Sequence, residues 1–304
     1  MSNGDRLTKK QHYIPQVYLR GFSPEYVKGN KDYPTYRYTI YCHDLNSKKQ
    51  LLQAVPIKSI CYNEYLYEVT GHEGEIILPN YLEYFFSVIE KMFGNFRGRL
   101  ERKAFIEENY RTKCFLANEE KIFWVMFILI QILRMPQVLK MAECVSKEIW
   151  SDNINTKQAQ NIARIFCLPF FKEIEEGSKE AYIFETLFGP MKNMSFGVGV
   201  DRERKIITSD KPVYVCAKSF PCDEYDEIIF PISSELCLFL FSKENKANYH
   251  KNFLFPINDE IREKILKSMT ASSFGKLYSN HILDKTERRH IKEVLKENET
   301  PVIM

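Results

Sequence analysis

The sequence predicts an α+β fold: a helical middle packed with short, mostly antiparallel strands from the N-terminal and C-terminal thirds. Three observations predict it. From about residue 79 to about residue 193, apolar positions recur mainly at helical spacing. On either side they shorten into strand-like runs rich in Tyr, Val, Ile and Phe, bounded by turn residues. Neither an internal repeat nor a low-complexity linker divides the chain. At 304 residues it can bury a large core. Residues 11–304 are therefore expected to form one domain, with about 79–193 as a helical subdomain and the polar, basic residues 1–10 as a disordered tail.

The elements follow in order. His12-Tyr13-Ile14 reads as extended chain, because a residue before proline is pushed out of the helical region. Pro15 suits a first helical turn, where its missing N–H would be unbonded anyway, and the helix runs to about Leu19 with Gly21 as its stop. Tyr36–Tyr41 alternates and carries β-formers; Asp44-Leu45-Asn46-Ser47 turns the chain and Gln50–Ala54 returns it as a hairpin. Tyr62–Val69 is a third strand. Pro79 opens a helix with Leu82, Phe85, Phe86, Ile89 and Phe93 on one face, running to about Arg102, where cations suit the helix dipole. Asn118-Glu119-Glu120 starts a strongly apolar helix to about Met135. Pro136 kinks or ends it, and Gln137–Ser151 continues. Thr156–Phe166 and Glu180–Met191 are further helices. In the last third, Met194–Val200 and Lys205–Ile207 flank the charged turn Asp201-Arg202-Glu203-Arg204, a second hairpin. Val213–Cys216, Glu227–Ile232 and Glu235–Phe241 read as strands, and Asp259–Met269 and Asp284–Asn298 as helices.

Composition narrows the class. A net charge of +3 is too small to argue for nucleic acid by itself, and the aromatic share is high, with 22 Phe and 18 Tyr. Eight cysteines are scattered without a C-x-x-C pair, so neither a zinc knuckle nor a disulfide framework is indicated. With no signal peptide they read as reduced thiols, and the protein as cytoplasmic. The apolar run Ile122–Leu133 is too short to span a bilayer and reads as a buried helix, so no membrane partner is expected.

His12–Phe22, HYIPQVYLRGF, is the densest chemistry in the chain. Pro15, Leu19 and Phe22 fall on one helical face, which buries; Gln16 and Arg20, four apart, form a polar edge. A histidine and an arginine beside a helix start can bind a phosphate or carboxylate. The plainer alternative is a core histidine bonded to backbone, with Arg20 in a buried ion pair.

This block resembles the opening of a bacterial family, domain of unknown function 4238, whose members begin H-[HY]-[IV]-P-x-x-Y-L-[RK]-x-F. Further segments are similar to later family blocks: Ser59–Val69, Tyr81–Lys91, Ile206–Val213 (with Lys211 where asparagine is usual) and Phe230–Leu240 (with Ser234 where proline is common). The resemblance implies a shared fold and a shared site, with no reaction attached.

The family-like blocks nominate the candidate site. Asp210, in Thr208-Ser209-Asp210-Lys211-Pro212, can turn the chain through nearby backbone N–H groups or present a carboxylate at a strand end. Glu83 and Glu90 lie two turns apart on one helix; solvated charge is the plain reading, and Glu90 turned inward the sharper one. His12, Glu90 and Asp210 would then form a one-histidine, two-carboxylate set suited to Mg²⁺, Mn²⁺ or Fe²⁺, with His12, Glu90, Asp210 and Arg20 as the catalytic group. Gln16, Asn63, Tyr65 and Ser209 are the substrate-binding candidates. Tyr65 and Tyr67 would share a strand face with Asn63, as a base-stacking platform or an ordinary half-buried aromatic face. No nucleophile elbow surrounds Ser209, and no dinucleotide-binding or P-loop glycine pattern occurs.

Two functions follow as expectations. One is a metal-dependent hydrolase of phosphodiesters or nucleotides, nuclease-like and placed in phage defence or stress. The other is a non-catalytic binding, sensor or effector module that works with a protein partner, in which the first block is a structural His–Arg plug.

Overall fold

The computed structural model describes residues 7–26, 34–47, 54–71, 73–106, 115–150, 154–166, 189–217, 225–242 and 253–299. In chain order the N-terminal third gives β1 (Lys10–His12), α1 (Gln16–Leu19), β2 (Thr39–Asp44), β3 (Ala54–Pro56), β4 (Tyr62–Glu64), β5 (Val69–Thr70) and β6 (Ile76–Leu78). The middle gives α2 (Tyr81–Ile106), α3 (Asn118–Leu133), α4 (Pro136–Trp150) and α5 (Thr156–Phe166). The last third gives β7 (Ser195–Val200), β8 (Thr208–Ser209), β9 (Tyr214–Ala217), β10 (Tyr225–Pro231), β11 (Leu236–Phe241), β12 (Leu254–Pro256), α6 (Asp259–Ser272), β13 (Lys276–Ser279) and α7 (Lys285–Glu299). The fold class is α+β, as the sequence predicts.

Two larger sheets carry the strands. One runs β12-β7-β11-β10-β9, antiparallel except where β12 lies parallel to β7. Every residue of β7 and β11 is buried, which is why these strands read as unbroken apolar runs instead of alternating ones. The other sheet runs β3-β2-β13-β8 and joins the two ends of the chain: Tyr41 of β2 pairs with Ser279 of β13, and Leu277 with Ser209 of β8. β1 pairs with β4, placing His12 opposite Tyr62.

The helical starts follow their sequence signals. Pro136 occupies the first turn of α4, where a missing N–H costs nothing, and α3 and α4 meet at 69°. No single helix among the described residues is long and apolar enough to cross a membrane; the bent pair passes that test together by length and composition. Most of α3 is buried in the protein's own core, however, including Trp124, Phe127 and Ile128.

Block one wedges into this core. Ile14, Tyr18, Leu19 and Phe22 are fully buried. Tyr18 stacks on Phe230 of β10 with centroids 5.4 Å apart and meets Phe93 of α2 at 5.9 Å; Phe93 in turn stacks on Phe127 of α3 at 4.4 Å. Each such side chain contributes about 1.5–3 kcal/mol on burial. The first block therefore clasps helices and sheet together. The turn does not stop at Gly21: a 3-10 helix continues through Arg20–Phe22. Gly21 is needed for space, since a Cβ there would lie 2.9 Å from Arg97 Nη1 and 3.0 Å from Ser233 Cβ.

Several expectations are corrected. The first strand starts at Thr39, because Thr35–Arg37 is a 3-10 turn after Pro34. Tyr62–Val69 splits into β4 and β5, because Tyr65 takes φ +53° and breaks the extended run. The hairpin expected across residues 194–207 does not form. The buried Asp201 carboxylate accepts the N–H groups of Glu203 and Lys205 and the Arg262 guanidinium, turning the chain away so that β7 pairs with β11 and β12. Lys10, placed in the tail by sequence, begins β1. Residues 1–6, 50–53 of the hairpin return and 180–188 of the expected Glu180–Met191 helix lie outside the described residues; 189–192 are helical.

Candidate functional site

The candidate site is built around Arg134, which caps α3 with its own N–H on the Ile130 carbonyl. Its side chain is 3% exposed. Nη1 lies 3.0 Å from Glu90 Oε1 on α2, Nη2 donates to the His12 carbonyl, and Nε reaches Tyr67 Oη at 3.4 Å. The guanidinium also lies over the Phe86 ring, 4.1 Å from its centroid. Tyr67 returns its own hydroxyl to the Arg134 carbonyl at 2.9 Å. The first block, α2 and α3 are thus tied through one buried cation.

Carboxylates surround it. Glu68 accepts the Gln11 amide and, at 3.1 Å, the Asn80 N–H; the other end of Gln11 accepts the Tyr67 N–H at 2.6 Å. Glu83 projects from α2 into the same region with Oε1 buried and unpartnered among the described residues. Burial pushes the Glu83 carboxyl up to about 7; Glu90 and Glu68 add to the rise and Arg134 opposes it. Glu83 and Glu90 thus both turn inward, contrary to the solvated reading.

His12 borders this cluster through its backbone and keeps its ring apart. Nδ1 lies 3.5 Å from Gln16 Nε2, and the ring meets Tyr62 with centroids 5.5 Å apart. Nε2 is buried and makes no hydrogen bond of ordinary geometry among the described residues. Burial and then the Arg134 charge lower the imidazole to about 4; the Lys58 backbone pulls weakly the other way. His12 is therefore neutral at pH 7.

Asp210 stands in a different set. Its carboxylate accepts the Phe274 N–H at 2.7 Å and its own N–H donates to Lys276 at 3.0 Å. Burial raises it to about 6. Ser209 Oγ donates to the Lys211 carbonyl at 2.7 Å and accepts the Lys211 N–H, closing the turn before Pro212. Thr208 Oγ1 meets Tyr18 Oη at 2.6 Å. The Thr208–Pro212 segment locks β8 against β13 and the first block. Cys61 lies beside it at φ 55°, its thiol donating to Tyr278 Oη at 3.2 Å; burial pushes that thiol up to about 12, leaving it protonated and unreactive.

The metal set expected from His12, Glu90 and Asp210 is corrected. Glu90 is engaged by Arg134 and Asp210 by the Phe274 N–H, and no three His, Cys, Asp or Glu side chains among the described residues are placed to hold an ion. The shared face of Asn63, Tyr65 and Tyr67 is corrected too. The left-handed turn at Tyr65 leaves that residue 40% exposed while Tyr67 is 2% exposed inside the Arg134 cluster. Asn63 is exposed on β4 opposite Gln11.

Arg20 is the exception among the four catalytic candidates. Half-buried, its side chain makes no hydrogen bond and no ion pair among the described residues; the Tyr38 ring lies 6.0 Å away, and Glu90 and Tyr26 act on its charge only through space. The buried ion pair expected for it is absent there. Burial and the neighbouring Arg97 guanidinium lower its pKa, so its charge is held against an unfavourable surrounding. Sequence reasoning missed Arg134, Glu68 and Gln11, and placed Tyr67 with Tyr65 and Asn63 instead of with them. An arginine at a helix end, two residues before a proline, looks like an ordinary dipole cap. The one available signal was the two-turn spacing of Glu83 and Glu90, which demands a cation when it faces inward.

The five cysteines among the described residues, Cys42, Cys61, Cys144, Cys216 and Cys237, are free. No curated protein and no solved structure matches the chain. One family model does, that of a protein of unknown function, DUF4238, across residues 10–281, nearly the whole of the fold described above. The chain belongs to the DUF4238 family.

Proposed function

We propose that the protein is a non-catalytic binding module that takes an anionic group, the phosphate of a nucleotide or nucleic acid, at Arg20. One observation carries this reading: of the four family-block candidates, Glu90 and Asp210 are held by internal partners and His12 is neutral, while Arg20 alone keeps an unpaired charge. The surroundings suit such a ligand. Tyr36, two residues from the Tyr38 ring under Arg20, is 60% exposed and carries the Arg37 guanidinium 5.6 Å from its centroid. Aromatic faces interleaved with arginines accept bases and phosphates together. The first block then acts as a structural plug, with Arg134 instead of Arg20 as the arginine beside His12. Work in a conflict or stress response with a protein partner belongs to the same reading.

The test is anisotropy of labelled single- and double-stranded DNA, RNA and nucleotide, with and without Mg²⁺ or Mn²⁺, followed by product analysis. Saturable binding without cleavage is expected, weakened about tenfold or more in Arg20→Gln, since a charge-assisted contact contributes about 1.5–3 kcal/mol. Absence of binding in the wild type, or equal binding by Arg20→Gln at an unchanged melting temperature, defeats the proposal.

A hydrolase is the second reading, favoured by one specific observation: Glu83 combines an unpartnered oxygen with a carboxyl near 7, poised for proton transfer at neutral pH. Cleavage in the same assay, lost in a folded Glu83→Gln variant, would replace the first reading with it.

A further inference from the structure

A well-formed cleft lies away from the Arg134 cluster. It opens between the end of β2 and α7 and encloses about 510 Å³, within the range of sites for small organic ligands. Its α7 wall falls beyond the residues matched by the family model.

Two kinds of chemistry meet in it. Leu45, Leu283, Ile291 and Leu295 form an apolar floor; Leu283 and Ile291 are buried and the other two partly buried. Arg288 and Lys292, one turn apart on α7, supply cations to the same space. Arg288 is steadied by its Nε on the Leu283 carbonyl at 2.9 Å, which leaves the rest of its guanidinium free to face the cleft. Lys292 is exposed and its ammonium has no hydrogen bond or ion pair among the described residues. His43, on the opposite wall, is buried, with Nε2 2.9 Å from Ser279 Oγ. Asp44 is the one acid lining the cleft among the described residues; its Oδ1 accepts the Asn46 N–H at 2.9 Å. The lining among the described residues is thus net positive over an apolar base.

We propose that this cleft binds a small amphiphilic anion, a carboxylate or phosphate carried on an aliphatic or aromatic body. The head group lies at Arg288 and Lys292, and the body covers Leu283, Ile291 and Leu295. Water fits that floor poorly, because it offers no hydrogen-bond partners, and a purely inorganic anion leaves it uncovered. An amphiphilic anion satisfies both surfaces at once.

Titration calorimetry of the full chain with dodecanoate below its micelle concentration tests this, with inorganic phosphate and dodecyltrimethylammonium as controls. One saturable site for dodecanoate is expected, with neither control competing. Lys292→Glu reverses an exposed charge that bonds to nothing, and should weaken dodecanoate at least tenfold with an unchanged melting temperature. Arg20→Gln should bind dodecanoate normally, which separates this site from the one proposed above. The inference is overturned if dodecanoate does not saturate, if the cationic amphiphile binds equally well, if phosphate alone binds as tightly, or if Lys292→Glu leaves affinity unchanged.

Discussion

Replacing Arg134 by Met tests whether one buried cation holds the candidate site together. The side chain is 3% exposed and serves Glu90, the His12 carbonyl and the Tyr67 hydroxyl. Methionine preserves most of the volume over Phe86, so the loss is electrostatic and not a cavity. Breaking a buried ion pair by removing one partner costs about 3–5 kcal/mol, because the other charge stays behind. Glu90 is 27% exposed and can recruit water. Tyr67 keeps its bond to the residue 134 carbonyl, which survives the change. Both considerations place the cost at the lower end, about 3 kcal/mol. Urea unfolding followed by circular dichroism at pH 7.5 measures it, with Glu90→Gln and the double variant completing a cycle. The double variant should be less destabilised than the two singles summed, by about 1–3 kcal/mol. A loss below about 1 kcal/mol for Arg134→Met, or strict additivity in the cycle, would refute the central role given to this residue.

Three further outcomes are expected. Burial raises Glu83 to about 7 from its ordinary 4.5, so the folded state holds the proton more tightly than the unfolded chain and stability falls as pH rises from about 4.5 to 7. Glu83→Gln should flatten that slope and exceed the wild type at pH 8 by roughly 1–3 kcal/mol; a slope unchanged in urea melts across this range would contradict it. Gly21→Ala forces a methyl to within 2.9 Å of Arg97 and 3.2 Å of the Ile232 carbonyl, and should cost about 1–3 kcal/mol in the same assay; a neutral effect would show that Arg97 yields freely. Tyr18→Phe leaves the buried Thr208 hydroxyl without its 2.6 Å partner and should cost about 1–3 kcal/mol, whereas a stabilised variant would place that hydroxyl in contact with water.

The long helices were legible because their signals are local. Asn118 with Glu119 and Glu120 opens α3, and Glu120 does accept the Ala117 N–H at 3.0 Å. Pro136 divides α3 from α4, and the Leu82–Phe93 stripe does face the core. Strand pairing was less legible because it depends on distant chain. Met194–Val200 and Lys205–Ile207 look like a hairpin until the buried Asp201, satisfied by Arg262 sixty-one residues on, redirects them. At the site, the family-like blocks nominated Glu90, and the inward alternative to solvated charge is the one realised, with companions other than those named. Its partner is a cation forty-four residues away whose local sequence reads as a helix end. Asp210 combined both readings offered for it, a strand-end carboxylate fixing backbone, with Phe274 as a donor that no pattern announces.

The wedge formed by the first block has a consequence in time. Tyr18 rests on Phe230, the Gly21 carbonyl accepts the Ser234 N–H at 2.9 Å, and β2 completes its sheet with β13. At synthesis rates of about 5–20 residues per second, the strands that receive this block emerge on the order of tens of seconds after it. Through that interval Ile14, Tyr18, Leu19 and Phe22 have only the helical part of their native surface, such as Phe93 of α2, to enter. The residues that finish the fold are thus made before the strands that receive them, so the newborn chain depends on holding them apart from other chains until those strands arrive.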